Sequence, residues 1–586
     1  MLPETKENYD IVGKYMVRKV WKFRNAGVSV DAVKNAAEKN GVPYLIANLL
    51  LNRGIQSDDF KAFLSKSKQS VLNPFTMLDM DKAADRIVSA IKGNESIVIY
   101  GDYDVDGITS TALLYDFLKS EGANVDYYIP DRIDEGYGIN IMAVNKLVKS
   151  GTNLLITVDC GITAIGEVEF AKLQGMDVIV TDHHTCKERI PTAAVAVINP
   201  KRSDDEYEFD ALAGVGVAFK LVMAVSMRLG KSAGECFDKY CDLAAIGTIA
   251  DVVPLVGENR IITEKGLCVL QNPLRPGVKA LLEVAQISDK KVTVSTVAFA
   301  IAPRLNAAGR IGTAKTAVEL LLTNSAEKAK EIAAMLDSSN KERQSTEHAI
   351  SEEAQALIDA DKNFADKKVV VLANESWHNG VIGIVASKIM EKYYRPCILI
   401  SLNEGKGKGS GRSIENFNLF DALSACSDTL INFGGHSAAA GLEVSEENIT
   451  LFEEKINKYA KEVLTDDDMH PVVKIDCMLG GANLNLPTVK MLSVLEPFGM
   501  GNEAPVFGTK DARVISATAV GVDGKHLRMQ VEKDGVRVNC IGFGMSDCLD
   551  SIRQGACVHI AYKLDINNYQ DKETVQLILL DVKASS

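Results

Sequence analysis

The stretch that decides the fold is SIVIYGDYDVDGITSTALL, residues 96–114. Its apolar run 97–99 predicts a buried strand, because short runs of β-branched residues favour strands. Residues 108–118 have the spacing and length of a helix, and Gly107 separates the two elements. The stretch therefore predicts the first strand and helix of an α/β domain.

Three aspartates, Asp102, Asp104 and Asp106, follow the predicted strand at alternate positions. Side chains at alternate positions of an extended chain point to the same side, so we expect these carboxylates to lie close together. A divalent cation would relieve their mutual repulsion, since carboxylate oxygens are its typical ligands. A solvated acidic turn is the alternative, and this stretch alone does not decide between the two.

The same design recurs along the chain. Two further predicted strands end in acidic or imidazole side chains: residues 154–158 precede Asp159, and residues 177–181 precede Asp182, His183 and His184. Helical segments such as 164–174 separate the strands, and another strand is predicted at 194–198. This alternation indicates βαβ units and a parallel sheet. Ligands bind beyond the carboxyl ends of such strands, so the sequence predicts a site there.

Asp251 lies in an otherwise apolar segment, residues 243–255. A buried acid is costly unless it is paired or bound to metal, although an N-cap or a turn before Pro254 is the alternative. His183 and His184 have a structural alternative too, but their place after an aspartate at a strand end favours a ligand and its neighbour. Two ions about 3.5–4 Å apart, sharing a carboxylate, suit phosphoryl transfer. Mixed imidazole and carboxylate ligands favour Mn²⁺ or Mg²⁺.

The second half predicts another, smaller α/β domain, with strands at 369–372 and 397–401 around a helix at 381–392. It follows a long helical stretch, 325–361, with a predicted interruption near 338–340. Such a helix would connect the two α/β domains.

Two glycine-rich segments and an arginine pair are candidate substrate contacts. EGKGKGSGRS, residues 404–413, is interpreted as a glycine-rich loop that carries Arg412, because glycines let backbone N–H groups approach an anion; a flexible basic hairpin is the alternative. His436 follows two glycines in FGGHSAAAG, where a capping turn before a helix is the alternative. Arg304 and Arg310 flank Asn306 in IAPRLNAAGRIGTA, and surface charges are the alternative there.

From about residue 471 the pattern changes to short alternating strands, with an Asp534-Gly535 hairpin turn. Five strands in about 110 residues predict a small Greek-key barrel. Such barrels bind single strands by aromatic stacking, but few aromatics occur here, so we expect a modest contribution to binding.

Composition bounds the class of protein. A chain of 586 residues is too long for a single hydrophobic core, so several domains are expected. Its content of 46% hydrophobic and 24% charged residues is typical of soluble globular domains. No apolar run approaches the ~18 residues of a membrane helix, and the start MLPETKENYD lacks a signal-peptide pattern. Eleven cysteines without a CxxC pair suit reduced thiols, which predicts a cytoplasmic protein without structural zinc. A net charge of −13 disfavours a protein that coats nucleic acid but permits a local basic groove.

Several motifs together resemble a known family. GDYDVDG, VDCGI, VTDHH and AAIGTIADVVPL resemble the successive motifs of the DHH phosphoesterase superfamily. The later motifs APRLNAAGRIG, WHNGVIGIVASKI, GSGRS, FGGHSAAAG and LEPFGMGNEAPVF resemble the RecJ single-strand-specific exonucleases, from about residue 70 onward. The resemblance implies a parallel-sheet DHH domain and a smaller DHH-associated α/β domain joined by a long helix, with a C-terminal OB-fold barrel. The implied domains are 1–70 (helical cap), 71–270 (DHH), 271–362 (helical connector), 363–465 (DHH-associated) and 466–586 (OB-fold).

The resemblance also implies residue roles. The implied ligands of two Mn²⁺ or Mg²⁺ ions are Asp104, Asp106, Asp159, His183 and Asp251, with Asp159 as the bridge and Asp102 beside them or in the ligand set. His184 would contact the scissile phosphate. The implied substrate contacts are Arg304, Asn306, Arg310, Ser410, Arg412, Ser413 and His436. Several superfamily members have histidine where this chain has Tyr100, so the first ion is expected to bind more weakly or to take a water.

The implied activity is metal-dependent hydrolysis of single-stranded DNA from its 5′ end to 5′-mononucleotides, in DNA repair and recombination. Candidate partners beyond DNA are a single-strand-binding protein and a helicase, and no membrane is expected. Two alternatives stay open: a phosphodiesterase of short oligonucleotides or cyclic dinucleotides, and a non-catalytic nucleic-acid-binding scaffold. The occupied ligand positions disfavour the scaffold, whereas the barrel and the arginine-bearing connector favour a longer strand.

Overall fold

The structure is a computed structural model that describes residues 18–24, 27–131, 135–136, 138–311, 314–570 and 572–585, without the side chains of residues 310, 311 and 569. The chain divides into two compact units. The first, here called the barrel unit, comprises residues up to 58, 343–493 and 505–586; the second, the sheet unit, comprises 59–342 and 494–504. The five-part domain division stays a prediction. Among the described helices, none is long and apolar enough to cross a membrane.

The barrel unit begins with a strand and two helices: β1 (Val20–Phe23), α1 (Val30–Asn40) and α2 (Tyr44–Asn52). β1 pairs in parallel with residues 472–475, which are distant from it in sequence. Helix α1 begins after Ser29, whose side chain accepts a hydrogen bond from the amide of Ala32, and it ends at Gly41 in the left-handed conformation. The N-terminal segment is therefore not purely helical.

The sheet unit holds the first α/β domain and a set of helices. Its first elements are α3 (Phe60–Leu64), α4 (Met80–Lys92), β2 (Ser96–Gly101), α5 (Val105–Ser120), β3 (Asn124–Tyr128), α6 (Ile141–Lys149), β4 (Leu154–Val158), α7 (Ile165–Leu173), β5 (Asp177–Thr181) and β6 (Ala196–Ile198). The helices that follow are α8 (Gly214–Arg228), α9 (Ala233–Ala250), α10 (Gly257–Leu270), α11 (Pro276–Val284), α12 (Val294–Thr296), a π-helical turn (Val297–Ile301), α13 (Ala302–Ile311) and α14 (Ala314–Leu322).

Five parallel strands form the sheet in the order β3-β2-β4-β5-β6. Both faces are buried: Ile97 and Ile99 pack into one core, and Val98 and Tyr100 pack into another on the opposite face. Helices cover a parallel sheet on both sides, which explains why its strands read as continuous apolar runs. The predicted parallel α/β sheet is confirmed.

Helix α15 (Ala326–Ala360) is continuous, so the predicted interruption near residues 338–340 is wrong. Serine and asparagine have low helix propensity, but Asn340 lies within this helix and is only 2% exposed. Asp337, one turn earlier, accepts contacts from Arg304 and Lys341. Tertiary contacts therefore outweigh the local preference.

The remaining elements of the barrel unit form a second sheet and a barrel. The sheet region contains β7 (Val370–Asn374), α16 (Asn379–Tyr393), β8 (Cys397–Asn403), β9 (Lys406–Arg412), α17 (Leu419–Ala425), β10 (Asn432–Gly435), β11 (Ala439–Ser445) and α18 (Ile449–Val463). Its strand order is β10-β11-β9-β8-β7, with β7 and β8 parallel and the other pairs antiparallel. The predicted second, smaller α/β domain is confirmed.

The segment 404–413, interpreted as a glycine-rich loop, is largely strand β9 in the middle of this sheet. Lys406, Lys408, Ser410 and Arg412 alternate with three glycines. A Cβ at any of the three would lie within 3 Å of a neighbouring apolar side chain, so these positions admit only glycine. The loop interpretation was wrong because core side chains fill the glycine face of the strand.

The C-terminal elements are β12 (Val472–Ile475), β13 (Cys477–Met478), α19 (Leu486–Leu492), β14 (Phe507–Val520), β15 (His526–Lys533), β16 (Val536–Gly542), β17 (Cys557–Tyr569) and β18 (Lys572–Ala584). The order β14-β15-β16-β18-β17 closes through β14 and β17. Asp534 and Gly535 form the β15–β16 turn with φ of 51° and 79°, as a type I′ turn requires. The predicted five-stranded barrel is confirmed.

Candidate metal centre

The register of the sheet aligns the carboxyl ends of three strands. Gly101 is level with Val158, and Val158 is level with Thr181. The residue after each of them is an aspartate: Asp102, Asp159 and Asp182. All three are at most 4% exposed, so one edge of the sheet carries a row of buried acids.

The sequence interpretation placed Asp104 and Asp106 on an extended strand end, but in the structure they do not continue strand β2. Helix α5 begins at Val105, two residues before Gly107, and Asp104 is its N-cap, accepting hydrogen bonds from the amides of Asp106 and Gly107. A Cβ at Gly107 would lie 2.4 Å from the carbonyl oxygen of Asp102. Gly107 is therefore required by a close approach inside the first turn of the helix, and it does not end the preceding element.

The carboxylate of Asp106 is held by the start of another helix. Its two oxygens accept hydrogen bonds from the amides of Gly214 and Val215, both at 2.7 Å, at the N-terminus of α8. A Cβ at Gly214 would lie 2.5 Å from Oδ1 of Asp159. Sequence reasoning missed this support, although the paired glycines of AGVGVAF were a signal for it.

Asp159 and His183 lie at the centre of the site. Asp159 has φ of 58°, a left-handed conformation that aspartate tolerates better than most residues. Nε2 of His183 lies 3.2 Å from Oδ1 of Asp159, 3.5 Å from Oδ2 of Asp251 and 3.8 Å from Oδ2 of Asp106. Within the described part of the chain, Oδ1 of Asp159 and Nε2 of His183 are buried without a hydrogen-bond partner. A cation bound beside these two atoms would explain why they are buried without a hydrogen-bond partner.

Asp182, which the sequence analysis placed at a strand end without assigning it a role, organises the paired histidines. It accepts hydrogen bonds from the amides of Ile162, His183 and His184. Its Oδ1 also lies 2.7 Å from Nδ1 of His184. A carboxylate that holds one ring nitrogen fixes the orientation of the imidazole.

Asp251 reaches the site from the end of α9, of which it is the C-cap. The next residue, Val252, has φ of 59°, an uncommon conformation for a β-branched side chain. The N-cap alternative is therefore wrong, whereas the predicted turn before Pro254 is present at residues 251–252 and does not prevent Asp251 from reaching the site.

Three overlapping groups of potential ligands result. They are Asp159, His183 and His184; Asp106, His183 and Asp251; and Asp102, Asp104 and Asp159. In each group the ligand atoms lie within 4.8 Å of one another. Asp159 belongs to two groups and His183 to two, so the arrangement can hold adjacent cations with a shared carboxylate.

Electrostatics also favours bound cations. Burial raises the pKa values of Asp106 and Asp159 well above the usual range, and neighbouring carboxylates raise them further. Burial and Asp104 raise the pKa of Asp251 to about 7. Burial lowers the pKa of His183 to about 3, which keeps its imidazole neutral as a metal ligand must be.

His184 differs from its neighbour. Burial alone would lower its pKa, but the hydrogen bond with Asp182 raises the pKa above 6.5. Its imidazole therefore carries positive charge more readily than that of His183, and its contact to phosphate stays a prediction.

Tyr100 lies outside the three ligand groups. Its hydroxyl donates to the carbonyl of Gly138 at 3.0 Å, and its ring stacks on Tyr128. The expected effect of Tyr100 on the first ion stays a prediction.

Cys160 follows Asp159 but is fully buried. Burial and the nearby carboxylates raise the pKa of its thiol well above 9.0. A nucleophilic thiolate at this position is therefore disfavoured.

The predicted contacts in APRLNAAGR lie on α13. The guanidinium of Arg304 contacts Asp337 at 2.8 Å and donates to the carbonyl of Ala300, so it links two helices, and its phosphate contact stays a prediction. Asn306 is half-buried on the same helix, and the side chain of Arg310 lies outside the described residues. A Cβ at Gly309 would lie 3.0 Å from the carbonyl oxygen of Tyr103, so α13 lies directly against the turn between Asp102 and Asp104.

The other predicted contacts lie in the barrel unit. Nη1 of Arg412 lies 3.1 Å from the hydroxyl of Ser410, and Gly383 lets α16 approach both side chains. The hydroxyl of Ser413 donates to the carbonyl of Phe417, and the amide of exposed His436 donates to the carbonyl of Ala439. Ser410 and Arg412 are thus brought together, whereas Ser413 has a structural role in its loop.

Comparison with known proteins assigns the chain to a family. Residues 96–248 match the DHH family, N-terminal domain; residues 366–462 match the DHHA1 domain; and residues 475–581 match the RecJ OB domain. The single-stranded-DNA-specific exonuclease RecJ of Bacillus subtilis (strain 168) is 39% identical over 558 residues, which cover 95% of this chain and 70% of the relative.

Two further comparisons agree. RecJ of Escherichia coli (strain K12), also named a single-stranded-DNA-specific exonuclease, is 35% identical over 563 residues, covering 92% of this chain and 95% of the relative. The crystal structure of RecJ in complex with Mn²⁺ from Thermus thermophilus has a TM-score of 0.81 at 30% identity, covering 97% of this chain and 79% of that chain. Sequence, domain order and fold lead to one conclusion: the chain belongs to the RecJ family of single-stranded-DNA-specific exonucleases.

Proposed function

We propose that the protein is a metal-dependent exonuclease that hydrolyses single-stranded DNA from its 5′ end and releases 5′-mononucleotides. The observation that carries this proposal is the set of three overlapping ligand groups at the carboxyl edge of the sheet. Membership of the RecJ family supplies the substrate class. A role in DNA repair and recombination accords with that family.

Two Mn²⁺ or Mg²⁺ ions fit the residues present. Asp106, His183 and Asp251 would hold one ion, and Asp102 and Asp104 would hold the other, with Asp159 shared between them. Oxygen and imidazole donors suit these metals, and the buried polar atoms of Asp159 and His183 gain partners on binding. When bound, such ions lower the pKa of a coordinated water and neutralise charge on phosphoryl oxygens.

The chain itself positions the reacting groups. The amides at the start of α8 hold Asp106, and Asp182 fixes the ring of His184. We assign His184 the contact to the scissile phosphate, because its imidazole is the one with a raised pKa. Hydrolysis at this site needs no protein nucleophile.

Strand β9 is proposed to bind the 5′ end. Burial lowers the pKa of the Arg412 guanidinium, so an anionic partner there would offset the cost of its desolvation. Arg412 and Ser410 share one face of the strand and are proposed to hold the terminal phosphate, with Ser413 and His436 beside them. Arg304, Asn306 and Arg310, on the helix that lies against the turn between Asp102 and Asp104, are proposed to contact the DNA strand.

The decisive experiment is a substrate panel with and without Mn²⁺. We expect 5′-mononucleotides from 5′-phosphorylated single strands, little product from blunt duplexes, and none without metal. Product from dinucleotides alone would indicate the short-oligonucleotide phosphodiesterase. Binding without hydrolysis would indicate the scaffold. A single-strand-binding protein, a helicase and a cytoplasmic location remain parts of this proposal that need their own tests.

Mn²⁺ affinity should depend on pH, since ligand carboxylates must lose protons before they bind metal. Asp251, with a pKa of about 7, is substantially protonated below that pH in the metal-free protein. The contribution of Asp251 to the affinity is therefore fully present above this pKa and lost below it, by about tenfold per pH unit for each proton displaced. Isothermal titration in buffers of different ionisation enthalpy counts the protons released. Asp251→Asn should flatten the pH dependence of Mn²⁺ affinity. An affinity of the wild type that does not change between about pH 6 and 8 would contradict the expectation.

A further inference from the structure

The segment Val494–Ala504, here called the return segment, belongs to the sheet unit although the residues before and after it belong to the barrel unit. It contains most of the motif LEPFGMGNEAPVF, to which the proposed chemistry gives no role. The chain therefore comes back to the metal-binding unit more than two hundred residues after its last ligand.

Arg260 of α10 forms hydrogen bonds with the start of the return segment. The residue is 2% exposed, and its guanidinium donates to the carbonyls of Val494 and Glu496 at 3.0 and 2.8 Å. A third hydrogen bond, at 2.7 Å, goes to the carbonyl of Phe63. These directional hydrogen bonds hold the backbone of residues 494–496 against α10.

Asn502 ties the return segment to itself. Its side chain is 1% exposed and donates to the carbonyls of Leu495 and Pro497 at 2.9 and 2.8 Å. Gly499 and Asn502 also exchange backbone hydrogen bonds in both directions, at 3.0 and 3.1 Å. The segment is thus a closed, internally bonded loop.

This loop lies on the turn that follows Asp251. The amide of Leu255 donates to the carbonyl of Met500 at 2.7 Å. A Cβ at Gly501 would lie 2.9 Å from Cβ of Pro254, and one at Gly499 would lie 2.5 Å from the side chain of Leu255. The turn itself includes Val252 in the left-handed conformation, which persists only when its surroundings enforce it.

We propose that the return segment positions Asp251, so that the ion held by Asp106, His183 and Asp251 depends on residues 494–502. The inference rests on the metal site of the proposed function. Outer contacts that orient a metal ligand typically contribute 10- to 100-fold in affinity. Gly501, Arg260 and Asn502 are therefore positioning residues and touch neither metal nor substrate.

Gly501→Ala tests the proposal, with Gly230→Ala as the matched control. Both glycines are in the sheet unit with similar φ, 69° and 76°, but a Cβ at Gly230 would meet no atom within 4 Å. Alanine at either position therefore causes similar backbone strain, but only at position 501 would its Cβ contact Pro254. We expect Gly501→Ala to raise the Kd for Mn²⁺ at one site about 10- to 100-fold. Its melting temperature should match that of Gly230→Ala.

Activity then provides a second readout. At low Mn²⁺ the kcat of Gly501→Ala should fall while KM for DNA stays near that of the wild type, and saturating Mn²⁺ should restore most of kcat. Equal Mn²⁺ affinity in the two variants would overturn the proposal. A wild-type protein that binds no Mn²⁺ would overturn the metal site itself, and with it the proposed function.

Hydrogen exchange on the wild-type chain keeps the test independent of variant folding. Mn²⁺ should slow exchange at the amide of Leu255 and, jointly, at amides of residues 495–502. Protection of residues 251–256 with no change in the return segment would show that the two are uncoupled, against the proposal.

Discussion

Asp159→Ala should abolish hydrolysis of single-stranded DNA while the fold remains intact. Asp159 is the carboxylate shared by two of the three ligand groups, so its loss weakens the binding of both ions. Losing about 4 kcal/mol of transition-state stabilisation corresponds to roughly a 10³-fold fall in kcat. Release of mononucleotides from a labelled strand, with and without excess Mn²⁺, measures the effect.

The neighbouring Cys160→Ser is the control for this variant. Cys160 is equally buried, but its sulfur atom has no assigned role in the chemistry, so activity should stay within a few-fold of the wild type. His183→Ala should behave like Asp159→Ala, because its Nε2 lies among three carboxylates. Substantial activity of Asp159→Ala in excess Mn²⁺ would count against the shared ligand.

Arg412→Ala should separate end recognition from chemistry. Hydrogen bonds to charged groups contribute about 1.5–3 kcal/mol, and a bidentate arginine–phosphate contact is of this kind. Binding of 5′-phosphorylated strands should therefore weaken about 10- to 100-fold, with a much smaller loss for 5′-hydroxyl strands. Turnover at saturating substrate should change far less than in Asp159→Ala.

Lys408→Ala is the matched control, since Lys408 is a cation on the same face of β9 but is more exposed. It should weaken binding to both kinds of end by a similar, small factor. Arg412→Lys should recover part of the loss, because a point charge lacks the fork of the guanidinium. An equal loss for both ends in Arg412→Ala would make Arg412 a general backbone contact, and the 5′-phosphate site would have to involve Arg304 or Arg310.

Strands β4 and β5 could be predicted to the residue, because buried parallel strands are short apolar runs that end where an acid begins. The acids Asp102 and Asp159 could be assigned to one site on the same grounds, whereas Asp251, at the end of helix α9, was assigned from its apolar surroundings and the family resemblance. The start of α5 was misplaced, since Gly107 serves a close approach within the helix. Strand β9 was taken for a loop because glycine is rare in strands, and only the neighbouring side chains reveal why it is needed here.

Individual hydrogen-bond partners from distant parts of the chain could not be predicted. Nothing in the local pattern around Asp106 indicates that the amides of Gly214 and Val215 hold its carboxylate. The ion pair of Arg304 with Asp337, which lies on another helix, could not be predicted either. Pairings of this kind depend on the tertiary fold, which periodicity and propensity do not encode.

If the return segment positions Asp251 as proposed, full activity cannot appear before this segment has been translated. About 240 residues separate Asp251 from Val494, so at roughly 5–20 residues per second the ribosome reaches the segment about 12–50 s later. Throughout that interval the nascent chain contains every metal ligand but lacks the loop that supports the turn after Asp251. A prematurely released product that ends before residue 494 would bind one ion weakly, and incomplete copies of this nuclease would therefore threaten cellular DNA less than finished ones.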